Sequence, residues 1–426
     1  MKNSGIEWIG EIPDEWKLIK IGSIFQCRNE KVNDTDYPPL SVSKGGIVPQ
    51  MESVAKTDAN DNRKLVLTND FVINSRSDRK QSCGYSALSG SVSLINTVLY
   101  AINDKIILPQ YTDYLMKNYG FAEEFYRWGH GIVADLWTTR WQEMKSIVLP
   151  IPSIEAQYKI IKRLQIELGA VDKLIENQRT QIEKLKEYKQ SVITEAVTKG
   201  LDPSVPLKDS GVDLIGNIPE NWNVTRIKYV CIFNHTTNSH IEKDEMVGYV
   251  PMECVKNGYM ESREISINEI TSGLTCFTDG DIIMAKVTPC FENGNIAIAN
   301  NLTNGIGYGS SELFVFRPTK IYSKFLFYFL RNNLFMEYAK ATMTGTGGLK
   351  RVSPNFIKSL KFACPCVEEQ QQIADYLDKK CAEIDKLIAI KQQKIETLAE
   401  YKKSLIYEYV TGKKQVGYSV RKYNLV

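Results

Sequence analysis

Ile154-Glu-Ala-Gln-Tyr158 opens a run that continues through Val171-Asp-Lys-Leu-Ile175 and Glu187-Tyr-Lys189 to Val197, and the chain contains this run twice. The second copy starts at Val367-Glu-Glu-Gln-Gln371, passes Ile384-Asp-Lys-Leu-Ile388 and Glu400-Tyr-Lys402, and ends at Val410. Matching positions share one offset (385 − 172 = 213 and 401 − 188 = 213). A repeat that long is a duplicated half-chain, not a solenoid period. In the first copy Ile161, Leu164, Leu168, Val171, Ile175, Ile182 and Leu185 alternate in steps of three and four, with Gln178 filling the gap. The second copy repeats the pattern with Leu377, Cys381, Ile384, Leu387 or Ile388, Ile395, Leu398 and Leu405, and Lys391 stands where Gln178 does. Such a narrow stripe is a coiled-coil seam, and a polar residue inside it sets register at some cost in stability. Two helices of 44 residues (197 − 154 + 1), roughly 65 Å long, are therefore expected to pair with each other.

Working outward, Ser4-Gly-Ile-Glu-Trp-Ile-Gly10-Glu-Ile-Pro-Asp-Glu-Trp16 returns as Ser210-Gly-Val-Asp-Leu-Ile-Gly216-Asn-Ile-Pro-Glu-Asn-Trp222. Its Gly and Pro punctuate turns, and Trp16 and Trp222 are expected to anchor each copy on a core. Each half then reads as a leading segment, a mixed globular region and a long helix. The expected division is a first globular region at 1–152, a helix at 153–200, a linker at 201–209, a second globular region at 210–365, a helix at 366–412 and a tail at 413–426. The linker rests on Gly200, Pro203 and Pro206, residues that end helices. The tail is expected near the start of the first half.

Short apolar runs bounded by Gly, Asn, Ser and Asp predict strands at 64–67, 71–74 and 92–95, followed by a helix at 111–119. The second half repeats the order with strands at 280–284 and 312–316 and a helix at 325–330. The fold class is α/β (α+β): two similar globular domains separated by two long antiparallel coiled-coil helices, with a pseudo-twofold internal repeat. Neither region carries the repeated crossovers of a doubly wound nucleotide fold.

Composition narrows the function. The chain has 426 residues, 43% of them hydrophobic, and a formal charge of +3, so any nucleic-acid contact must come from local patches. There is no apolar stretch of membrane-spanning length and no leader-like opening, and nine cysteines at irregular spacings suit reduced cytosolic thiols; a cytoplasmic location is expected. No phosphate loop is present. Asp36-Tyr-Pro-Pro-Leu40 has the wrong order for an amino-methyltransferase motif, and Pro13-Asp-Glu-Trp-Lys17 imitates a nuclease core but reads as a turn. Cys231, His235 and His240 form a weak zinc signal with no second cysteine, and Cys364-Pro-Cys366 reads as a pair of buried thiols.

What remains are glycine-spaced polar loops in corresponding places. In the first half they hold Asn74, Arg76, Arg79, Lys80, Gln81, Ser82 and Tyr85, then Gly129-His-Gly131 and Thr138-Thr139-Arg140-Trp141. In the second they hold Lys286, Thr288, Asn293 and Asn295, then Thr346, Lys350 and Arg351. Arginine suits guanine edges, Asn and Gln suit adenine edges, and Ser and Lys suit phosphates. Those residues are the candidate DNA-binding set, with no catalytic, cofactor or metal residue beside them.

The doubled leading segment, Ser191-Val-Ile-Thr-Glu-Ala-Val-Thr-Lys-Gly-Leu201 and the strand exits at Val72–Arg76 and Gly280–Phe291 resemble the specificity subunit of type I restriction–modification systems. The resemblance covers nearly the whole chain. It implies two target-recognition domains, each reading half of a split, asymmetric sequence in double-stranded DNA through the major groove, with the helices as a ruler that docks methyltransferase subunits. It also implies a separate restriction/translocase subunit, with S-adenosylmethionine, ATP and Mg on the partners and no cofactor on this chain. Two other classes stay open at this point: a non-enzymatic coiled-coil scaffold and a stand-alone DNA-modifying enzyme.

Overall fold

The computed structural model describes residues 1–50, 61–103, 105–131, 137–212, 215–234, 245–270, 272–346 and 348–416. The chain divides into two compact units, one of Met1–Arg179 with Gln392–Val426 and one of Thr180–Lys391. The division crosses both long helices, Ile154–Lys199 and Val367–Val410. Each unit therefore owns a half of each helix.

In the first unit a four-stranded antiparallel sheet has the order Cys83–Tyr85, Phe71–Asn74, Asn96–Ala101, Phe25–Cys27. In the second unit the corresponding order is Ile296–Ile298, Ile282–Ala285, Leu313–Pro318, Cys231–Phe233. The central strands are apolar and buried at Phe71–Ile73 and Ile282–Ala285 because both faces are covered there. A short antiparallel pair closes the base of each unit: Lys17–Lys20 on Val148–Ile151, and Asn223–Arg226 on Lys361–Cys364. A second sheet in the second unit contains one parallel pair, Met246–Val250 on Ile306–Gly309.

Two expectations need correction. Residues 92–95 are not a strand: strands end at Val92 and restart at Asn96, and Leu94 and Ile95 stand exposed on the turn between them. Their apolar character mimicked an edge. The helix at 111–119 is two helices, Pro109–Lys117 and Tyr119–Arg127, separated by Asn118, whose side chain accepts from Phe121 N–H. Asn332 does the same for Phe335 N–H between Ser323–Phe329 and Asn333–Ala341. An N-cap of this kind satisfies an orphan donor and restarts the helix in a new direction.

Within each unit the helix halves run antiparallel, and one ion pair recurs. Lys402 Nζ lies 2.6 Å from Asp172 in the first unit, and Lys189 Nζ lies 2.7 Å from Asp385 in the second. These are repeat-equivalent pairs (385 − 172 = 213; 402 − 189 = 213), and the partner numbers sum to 574 in both (172 + 402; 189 + 385). A constant sum is the signature of an antiparallel register. Exposed pairs of this kind contribute about 0–1 kcal/mol each, so they select the register more than they hold it. Ile388, not Leu387, faces the seam, since Leu387 is 48% exposed. Lys391 Nζ donates to Gln181 Oε1 at 2.5 Å, which satisfies the polar seam position in the second unit.

Trp16 and Trp222 are buried as expected, and Trp222 Nε1 donates to Glu369 Oε1 at 2.9 Å. The end of the second long helix seals the first unit: Leu405, Tyr409 and Val410 share a core with Trp8, Trp16, Phe121 and Leu164, and Tyr407 donates its hydroxyl to Trp8 O at 2.8 Å. Gly412 (φ +76) follows, and a Cβ there would meet Pro13 Cδ at 2.3 Å. Gly412→Ala is expected to destabilise by about 1–3 kcal/mol, from positive-φ strain plus overpacking. An unchanged urea midpoint would show that this closure contributes nothing.

Candidate nucleic-acid interface

The loop that leaves each central strand is stitched to the loop that precedes the long helix. In the first unit Thr138 bridges both Arg76 and His130, and in the second Arg351 bridges both Val287 and Thr344. Arg351 and Thr138 are repeat-equivalent (351 − 138 = 213). Loops far apart in sequence thus form one small surface in each unit. Tertiary pairing of this kind holds loop side chains at fixed positions, as recognition of a fixed pattern requires.

On the first unit's surface Asn74 Oδ1 accepts from Arg76 N–H at 3.0 Å and turns the chain out of the sheet. Arg76 Nε reaches Asp78 Oδ1 at 3.1 Å, and Arg79 Nε lies 3.6 Å from Asp78 Oδ2. Both guanidiniums are largely solvated, so Asp78 orients them without consuming them. Lys80 is more committed, paired with Glu123 at 3.0 Å and placed 4.2 Å from the Tyr126 ring centre. Gln81, at φ +62, donates to Lys117 O at 3.2 Å. Arg140 is exposed, and its N–H donates to Glu143 at the start of the short helix Trp141–Met144.

On the second unit's surface Arg351 forms a two-pronged pair with Glu312, both bonds at 3.0 Å. Arg351 holds the Glu312 carboxyl below the usual carboxylate range, chiefly by that hydrogen bond. Lys286 Nζ caps Ser311 O at 2.6 Å. Lys350, Thr346 and Asn293 are exposed, and Asn295 is half-buried with its carbonyl accepting from Ala285 N–H.

Four candidates turn inward instead. Thr139 Oγ1 donates to Phe125 O at 2.6 Å, and Thr288 Oγ1 donates to Gly348 O at 2.6 Å while accepting from Lys350 N–H at 2.9 Å. Ser82 is buried and Tyr85 packs on the first core. These side chains shape the loops, and the hydroxyls of Thr139 and Thr288 are already used. Sequence reasoning missed Trp137, whose Nε1 donates to Tyr126 O at 2.9 Å. It also missed the buried Asp70 and Asp281 just ahead of the central strands. Asp70 takes two bonds from Arg28 (2.8 and 3.0 Å), and Asp281 takes two from Arg317 (2.9 and 2.7 Å). The signal was present as an aspartate in the turn of each copy, but Arg28 follows the strand Phe25–Cys27 while Arg317 lies within Leu313–Pro318, so the two cannot be aligned.

Among the described residues no group of three or more His, Cys, Asp or Glu could hold a metal ion. His235 and His240 lie outside the described residues, and burial pushes the Cys231 thiol up to about 12. Cys364 is half-buried but Cys366 is exposed, so the two are not a buried pair. No described helix is long and apolar enough to cross a membrane.

The model of the type I restriction modification DNA specificity domain matches residues 219–400. The type I restriction enzyme EcoAI specificity subunit of Escherichia coli is 33% identical over 161 residues, which cover 37% of this chain and 27% of that relative. The chain thus spans about a quarter of its length, and 32% of a second Escherichia coli relative, the EcoEI specificity subunit. The putative MjaX specificity subunit of Methanocaldococcus jannaschii is 26% identical over 96% of both chains. Among solved structures, a chain from work on complex assembly and conformational transition of the type I R-M system superposes with a TM-score of 0.69 at 13% identity, over 95% of this chain and 100% of that one. The HsdS subunit from Thermoanaerobacter tengcongensis gives 0.52 at 14% identity, over 95% and 98%. Those structural likenesses establish the fold, and the sequence matches make residues 219–400 similar to the type I restriction modification DNA specificity domain and the chain similar to type I specificity subunits.

Proposed function

We propose that this chain is the non-catalytic, DNA-reading component of a type I restriction–modification complex. Each unit reads one half of a bipartite, asymmetric site in double-stranded DNA. The long helices set the spacing between half-sites and dock methyltransferase subunits, and a restriction/translocase subunit completes the assembly. S-adenosylmethionine, ATP and Mg belong to those partners, so the chain works in the cytoplasm where they are found. The observation that carries this reading is the duplicated loop surface, with Arg76, Arg79 and Arg140 on one copy and Lys350, Arg351 and Asn293 on the other. Different side chains on one scaffold suit two different half-sites, because base edges in the major groove present distinct donor and acceptor patterns. With a formal charge of only +3, the chain alone is expected to hold DNA weakly and with a shallow salt dependence, the partners adding phosphate contacts.

The test is reconstitution with methyltransferase subunits from the source cell, followed by mapping of methylated adenines on random-sequence DNA. One split, asymmetric motif is expected, and it should vanish when this chain is left out. Methylation that ignores sequence, or that persists without the chain, would overturn the reading.

A further inference from the structure

The second unit contains a pocket of about 170 Å³, partly open to solvent, whose rim includes Asn293 and Asn295 of the candidate loop but whose depth lies behind it. Its wall includes Arg331, which follows the helix Ser323–Phe329. The guanidinium lies 4.7 Å from the Phe327 ring centre, and Nη2 donates to Asn257 Oδ1 at 2.6 Å. The backbone at Gly258 closes over it, since a Cβ there would stand 3.3 Å from Nη2. Among the described residues Arg331 Nε is buried and has no acceptor, and Gln190 Oε1, on the same wall, is buried and has no donor.

A buried guanidinium is expensive unless an acid or a full set of acceptors compensates it. Elsewhere this chain follows that rule: Arg28 has Asp70, Arg317 has Asp281, and the buried Arg63 places Nε on Ser91 Oγ. Arg331 has no carboxylate ion pair among the described residues. The nearby acid Asp385 is held by Lys189. Burial accordingly pulls the Arg331 pKa below its ordinary value, against the opposing pull of Tyr328, Cys381 and Asp385. Ionised groups on the pocket wall are Arg331, Lys340 and Glu292, a net of +1 (2 − 1). The floor is apolar, made by Met284, Phe291, Ile296, Leu330 and Met336.

We propose that this pocket binds a small organic anion. A carboxylate or phosphate oxygen accepts from Arg331 Nε, a neighbouring hydroxyl or amine donates to Gln190 Oε1, and a flat apolar body lies on Met284, Phe291 and Met336. Lys340 at the rim adds attraction, and Glu292 offsets part of it. The proposal rests on the second unit alone; the pocket shares Asn293 and Asn295 with the candidate DNA surface, and its test uses no DNA.

Calorimetric titration of the full chain tests it with three probes. Salicylate carries a carboxylate, an adjacent hydroxyl and a flat ring; adenosine 5′-monophosphate carries a phosphate on a larger flat body; inorganic phosphate carries charge alone. One-to-one binding of salicylate or of the nucleotide is expected, and which of them binds assigns the oxyanion. Arg331→Met should weaken that binding by about tenfold or more, the loss of a charge-assisted hydrogen bond. Lys340→Ala, on the surface and harmless to folding, should weaken it by about two- to fivefold. Binding of inorganic phosphate only, no binding of any probe, or equal affinity in wild type, Arg331→Met and Lys340→Ala would overturn the assignment.

Discussion

Replacing Asp281 with alanine is expected to cost about 3 kcal/mol in unfolding free energy. The carboxylate is 2% exposed and accepts from Arg317 Nε at 2.9 Å, Arg317 Nη2 at 2.7 Å and Thr278 N–H at 2.8 Å. Breaking a buried pair by removing one member costs about 3–5 kcal/mol because the other is stranded. Arg317 keeps 31% of its side-chain surface in water, which moves the expectation to the lower end. Asp281→Asn retains acceptors for Thr278 and should lose about half as much. The functional consequence is local. Asp281 sets the turn into Ile282–Ala285, whose exit forms the second unit's loop surface, so reading of one half-site should fail while the other persists. Urea denaturation with half-site methylation assays measures both; a loss below about 1 kcal/mol would show that the pair is dispensable.

Arg76→Ala is expected to relax recognition at one half-site by about 1–3 kcal/mol, or roughly 10- to 100-fold, and to leave the other half-site intact. Arg76 is exposed, and among the described residues its guanidinium pairs with Asp78 at 3.1 Å. Its removal should change stability by less than about 1 kcal/mol, so lost specificity cannot be confused with unfolding. Thr139→Val makes the useful contrast. That hydroxyl bonds Phe125 O inside the fold, so its loss should lower stability together with recognition. An unchanged methylated motif in Arg76→Ala would remove the loop after Phe71–Asn74 from the recognition surface.

Much of this architecture was legible in the residues because it is periodic or duplicated. The seam from Ile161 to Leu185 and its copy are statements about spacing, and the buried Leu164, Leu168, Leu377 and Ile384 follow from it. Trp16 and Trp222 were legible for a similar reason, as large apolar side chains in matched turn-rich segments. Asn118 and Asn332 were harder. An asparagine inside an apolar helical stretch reads as a solvated position until its side chain is seen capping Phe121 or Phe335.

The candidate surface was legible in location and less so in composition. Sequence alone places polar loops after the central strands and before the long helices, but it treats Thr139 and Arg140 alike. Only the fold turns Thr139 onto Phe125 O and leaves Arg140 in water.

The amino-acid sequence by itself determined the duplication, the paired helices, their lengths and the regions from which the candidate loops come, since these depend on local spacing and on internal likeness. Tertiary structure alone decided that Thr138 and Arg351 stitch distant loops together, that Asp70 takes an arginine from just past one strand and Asp281 one from within another, and that Arg331 Nε is buried with no acceptor among the described residues. Those outcomes depend on which side chains meet across long sequence separations. Hydrogen bonding and desolvation at such meetings are set by three-dimensional neighbours, which no local pattern encodes.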